Sequence, residues 1–120
     1  MVVWAMEDSS KLKPRAREII AQARWGELAI SDMTLLELAM LIRRKRVLPG
    51  MPLDEALRQT EEEFVVLAIG GKVAELAVSL DLPQGDPFDR VIVATSLTLQ
   101  IPLISADRAI RKSRLVETVW

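Results

Sequence analysis

Three acidic residues stand where a parallel sheet would place its chemistry. Glu37 falls early in a helical pattern that follows the apolar run Leu28 to Ser31, Asp89 falls in the first turn of a strongly apolar helix, and Asp107 follows the run ending in Ser105. In open parallel sheets ligands bind beyond the carboxyl ends of the strands, so acids just past strands are inspected first. Carboxylates that converge from separate segments repel one another unless a cation neutralises them, and Mg²⁺ is held in this way at phosphoryl-transfer sites. The matching reaction class is a divalent-metal phosphodiesterase.

Composition narrows the chemistry to the same corner. The chain has no cysteine and no histidine, which removes disulfides, thiol nucleophiles, the Ser-His-Asp triad and every imidazole metal site. Carboxylates, lysine, arginine and hydroxyls remain, and carboxylate oxygens suit hard cations such as Mg²⁺ or Mn²⁺. The net charge of -1 supplies no global attraction for nucleic acid, so such a partner has to be met by a local basic patch.

Each acid also has a purely structural reading. Glu37 lies three residues after Thr34, the spacing of a capping box. Asp86 directly before Pro87 suits a helix N-cap. Asp89 can favour the helix dipole or pair with Arg90, and Asp107 can cap the turn that follows it.

The elements that would position these residues follow from the apolar pattern. Helices are expected from Lys11 to Gly26, from Asp32 or Thr34 to the basic run Arg43 to Arg46, after Pro52, after Gly70 and Gly71, and from Phe88 to about Leu99; a short helical turn is expected from Asp107 to Arg111. Strands are expected at 28–31, 64–68, 101–105 and 115–119. Strands alternating with helices predict an α/β fold with a parallel sheet and right-handed crossovers. A length of 120 residues fits one domain spanning 1–120. No apolar run approaches the ~20 residues of a membrane span and no secretory signal pattern opens the chain, so the cytoplasm is the expected location.

The run ISDMTLLELAMLIRRKRV resembles the segment of VapC-type PIN-domain toxins that carries their second catalytic acid, here Glu37. GDPFDRVIVATSL is similar to their DPFDR segment, which places the third acid at Asp89 with Asp86 as a neighbouring cap, and IPLISAD is similar to their last catalytic strand, which places the fourth at Asp107. LVETVW resembles their terminal strand, and the likeness runs over essentially the whole chain. The departure is at the start. The resemblance aligns VVWAMEDSSKLKPRAREI with the sequence after a first strand ending in aspartate, so that strand and that ligand are expected to be missing. Two explanations stand: the start is placed too late and has lost a central strand, or the chain is a degenerate relative with weakened metal binding.

The resemblance implies hydrolysis of single-stranded RNA with Mg²⁺ or Mn²⁺ held by Glu37, Asp89 and Asp107, a homodimer, and a small antitoxin that covers the acidic cleft. Ser105 and Asp86 are expected as supporting residues, and Arg108, Arg111 and Lys112 as candidates for phosphate contact. The run Arg43 to Arg46 is read either as an RNA or partner contact or as a solvated helix end, and Trp4, Trp25 and Trp120 as packing residues that could also stack on bases. Two rival classes are a PIN-like interaction module without catalysis and a phosphoacceptor receiver domain. The receiver lacks counterparts here for its acid pair near the first strand and its late lysine.

Overall fold

A computed structural model describes residues 1–6, 9–44, 49–82 and 86–120. Five parallel strands lie in the order β3-β2-β1-β4-β5: β1 is Val2–Trp4, β2 Leu28–Ser31, β3 Val65–Leu67, β4 Leu103–Ile104 and β5 Thr118–Val119. The helices are α1 (Pro14–Gln22), α2 (Asp32–Arg43), α3 (Leu53–Glu63), α4 (Gly71–Ser79), α5 (Pro87–Leu99) and α6 (Arg108–Ser113). The four strands expected from the apolar runs are present and parallel, each within its expected segment.

The expectation of a missing central strand is not met. Val2–Trp4 occupies the middle of the sheet, with Val3 opposite Ala29 on one side and Leu103 on the other. The physical reason lies in the neighbours as much as in the segment. Without β1, the facing edges of β2 and β4 would bury unpaired backbone donors and acceptors. The segment also suits the place, because two β-branched valines and a tryptophan favour extended backbone and Val3 is fully buried.

Side chains alternate across the sheet as a period of two demands. Val3 and Leu103 face a core built with Val73 and Ala77 of α4, Ile92, Val93 and Ala94 of α5 and Ile110 of α6. Trp4 and Ile104 face the opposite core, with Leu12, Ala16 of α1, Leu28, Ile30 and Phe64. Helix α5 has buried residues around much of its circumference because it packs on α4, α2 and β2 at once. Among the described residues no helix is long and apolar enough to cross a membrane.

Candidate functional site

The carboxyl edge of the sheet receives three segments. Strand β2 runs directly into α2, so Ser31 ends the strand and caps the helix, its Oγ accepting from the Met33 N–H at 3.1 Å. This displaces the capping-box reading of Thr34 and Glu37. Both residues lie inside the helix, where the first-turn N–H groups that a cap would satisfy have already passed. Asp32, at the first helical position, accepts from the Ile69 N–H through Oδ2 at 3.1 Å and so ties the turn after β3 to the start of α2. Its Oδ1 is buried without a hydrogen-bond partner.

Glu37 stands on the second turn of α2 and borders a small cavity of about 20 Å³ with Ala5, Met6, Thr34, Leu38 and Leu41. That is room for about one water molecule. Thr34 Oγ1 is buried beside it and makes no hydrogen bond.

Helix α5 runs back towards the start of β4, which puts its N-terminus, with Asp86 and Asp89, at the same carboxyl edge. Asp86 is the N-cap, accepting from the Phe88 N–H at 2.9 Å. Asp89 is half-buried in the first turn. Its neighbour Arg90 turns to α4: the guanidinium donates to the carbonyls of Ala77 (3.2 Å), Leu80 (2.9 Å) and Leu82 (2.9 Å). The Ala77 and Leu80 carbonyls belong to the last turn and C-cap of α4, which lack intrahelical donors, and Leu82 to the loop beyond, so Arg90 caps one helix while belonging to the next.

Beyond β4, Asp107 caps α6 by accepting from the Ile110 N–H at 2.9 Å, and Ser105 Oγ accepts from the Asp107 N–H at 3.1 Å. The fully buried Ser105 hydroxyl therefore fixes the turn that presents Asp107. Arg108 and Lys112 are exposed. Arg111 Nε donates to the Ala106 carbonyl at 3.3 Å, and its guanidinium carbon lies 3.5 Å from the centre of the Trp120 ring, where Lys13 Nζ also sits at 4.0 Å. Arg43 and Arg44 are exposed at the end of α2; Lys45 and Arg46 lie outside the described residues. Trp4 packs edge-on against Phe64, with ring centres 5.6 Å apart, whereas Trp25 is 75% exposed.

Element order thus brings Glu37, Asp89 and Asp107 to one edge of the sheet. Their carboxylate oxygens have the donor chemistry that Mg²⁺ or Mn²⁺ prefers. Among the described residues no group of three or more acids is placed to hold a metal ion; Glu7 and Asp8, which follow Met6, lie outside the described residues. Between the ends of β2 and β4, the end of β1 offers Ala5 and Met6, neither of which supplies a charged donor. The residues present fit the cation in donor type.

Comparison with known proteins agrees with this architecture. Residues 1–114 match the PIN domain family. The chain is 32% identical over 120 residues to Ribonuclease VapC22 of Mycobacterium tuberculosis, an alignment covering 98% of this chain and 91% of the relative. Among solved structures, FitAcB from Neisseria gonorrhoeae superposes with a TM-score of 0.70 at 16% identity, covering 100% of this chain and 97% of that one. A toxin-antitoxin complex from Klebsiella pneumoniae gives 0.68 at 18% identity, with 100% and 97% covered. VapBC2 from Rickettsia felis, bound to a DNA fragment from its promoter, gives 0.67 at 14%, with 100% and 99% covered. At these identities the structures speak for the fold, while the family match and the curated relative extend over nearly all of the sequence: the chain belongs to the PIN domain family.

Proposed function

We propose that this chain is the endoribonuclease toxin of a toxin–antitoxin pair, acting in the cytoplasm on phosphodiester bonds of single-stranded RNA with Mg²⁺ or Mn²⁺ as cofactor. The observation that carries the reading is the delivery of Glu37, Asp89 and Asp107, from three separate elements, to one sheet edge in a chain that is 32% identical to a named ribonuclease. In hydrolysis, water attacks phosphorus, loses a proton, and the leaving oxygen gains one. Carboxylates at this edge supply the proton acceptor, and the α6 turn built by Ser105 holds Asp107 towards it. A cation, when bound, would offset the negative charge of phosphate and carboxylates. The partners in this reading are an antitoxin and a second copy of the chain.

A second reading is favoured by a particular feature. Ala5 directly after the central strand, where the resemblance expects an aspartate, suits a PIN-like interaction module that does not cleave RNA. One set of measurements separates the two: Mn²⁺ titration by calorimetry, and cleavage of labelled single-stranded RNA with and without EDTA. The enzyme reading expects EDTA-sensitive cleavage that falls about a hundredfold or more in Asp89→Asn, with unchanged circular dichroism. A folded protein inactive on every RNA and metal tested supports the interaction module.

A further inference from the structure

We infer that Lys13 and Arg111, held together on the Trp120 ring, form a docking point for the sugar-phosphate backbone of single-stranded RNA beside the acidic edge. This rests on the ribonuclease reading and deepens it by naming how the substrate is gripped.

Val119 pairs with Ile104 in the β4–β5 ladder, and Ser105 N–H donates to the Val119 carbonyl, so Trp120 stands level with Ser105 at the carboxyl edge. Trp120 packs against the core on the α1 side of the sheet. Lys13 immediately precedes α1, and Arg111 comes from α6, whose Ile110 packs into the core on the opposite face. The two cations therefore arrive from opposite sides of the sheet and meet at one ring, at 4.0 Å and 3.5 Å from its centre. Both distances lie well within the ~6 Å reach of a cation–π attraction.

Arg111 lies four residues after Asp107, a spacing that favours a helical ion pair. It makes none. Its guanidinium goes to the Ala106 carbonyl and to Trp120, while Asp107 turns to the Ile110 N–H. Among the described residues the ion pair present is Arg58 with Glu62, and neither Lys13 nor Arg111 is matched to a carboxylate. Two like charges gathered on one neutral ring, neither paired with a carboxylate among the described residues, leave positive charge to offer an anion. The Ala106 contact keeps this pair next to Asp107, where a bound phosphodiester would meet carboxylates that repel it. Cations at that border offset the repulsion for a polyanion crossing the edge. They also assign Trp120 a role other than base stacking, because its ring is already engaged by the cations.

The test measures binding of a fluorescein-labelled single-stranded RNA by anisotropy in EDTA, so that cleavage does not intrude, across a series of salt concentrations. In the double variant Lys13→Gln/Arg111→Gln the slope of log affinity against log salt should shrink by roughly 0.7 for each cation removed. Trp120→Leu keeps both charges and should still weaken binding, because the pair is no longer gathered. Arg15→Gln/Arg17→Gln removes two exposed cations from α1 and should leave more of the affinity intact than the first double variant. Circular dichroism checks that each variant is folded. If the parent protein binds RNA and the folded Lys13/Arg111 variant binds it with the same slope and affinity, the inference fails and the ribonuclease reading survives. If the folded parent does not bind RNA at all, both fail. Loss of binding to poly-glutamate in that variant, with RNA binding intact, would make the cation pair a contact for an acidic protein segment and overturn the inference.

Discussion

The two faces of the sheet are finished to different degrees. On the α4–α5 side, Ile92, Val93, Ala94 and Leu103 are at most 2% exposed, and Arg90 closes the end of α4 with three carbonyl contacts. On the other side, a groove of about 510 Å³ opens between Trp4, Met6, Ile20, Trp25, Leu38 and Phe64. Trp25 stands 75% exposed at this groove, and Trp4 Nε1–H, although buried, has no acceptor. The buried centre of α5 resists change, even with a groove of about 360 Å³ beside it at Leu67, Val73, Thr95 and Leu99, whereas the α1 side combines spare volume with an unsatisfied donor and accepts change more readily. The most completely buried packing therefore lies around α5, the helix that also carries Asp89.

The comparison can be broken most sharply at Ile92. Ile92→Ala should cost about 2–5 kcal/mol in urea unfolding, because the surrounding helices leave little freedom to collapse onto the void. A cost below about 1 kcal/mol would show that this face is looser than its burial indicates. Arg90→Met, which keeps much of the side chain's length and removes its donors, should cost about 2–3 kcal/mol, since carbonyls of Ala77, Leu80 and Leu82 lose charged hydrogen bonds. If thermal unfolding is unchanged, water replaces the guanidinium and the clamp adds no stability.

Beside the groove the expected effects are smaller, and one has the opposite sign. Thr34→Val removes a buried hydroxyl that makes no hydrogen bond while preserving shape, so it should be neutral or stabilising by up to ~1 kcal/mol. A loss of stability would reveal a water held in the cavity beside Glu37. Trp25→Ser should change unfolding free energy by no more than about 0.5 kcal/mol, because the ring is mostly in solvent. A larger loss would mean that the indole covers part of the groove in solution.

What could be read from the sequence was what local pattern controls. The apolar runs at Leu28, Val65, Leu103 and Thr118 placed four strands, and Asp86 before Pro87 announced its cap. What escaped depends on partners far along the chain. Arg90 looked like a neighbour for Asp89, and only the packing of α4 on α5 reveals its three carbonyls. Thr34 matched a capping box in spacing, yet Ser31 lies at the strand end and takes the cap. Val2–Trp4 has the composition of a strand, but the resemblance assigned it to the segment after one. The stacking of Lys13 and Arg111 on Trp120 joins three positions with no common local motif. For the acids, the sheet edge shared by their elements was legible, because each follows a strand or opens a helix there.

The central strand is also the first one in the chain, and this has a consequence for the order of events during synthesis. Val2–Trp4 gains one partner soon, when Leu28–Ser31 emerges, but its other partner is Leu103–Ile104, about one hundred residues later, a separation of the kind that slows folding. Throughout that interval the nascent chain can assemble β1, β2 and β3 while one side of β1 remains an open edge. Any extended segment of a neighbouring nascent chain can pair there first. Arrival of β4 therefore closes the sheet in time as well as in space, and a delay in it should appear as aggregation of the partly made protein before any change in the finished one.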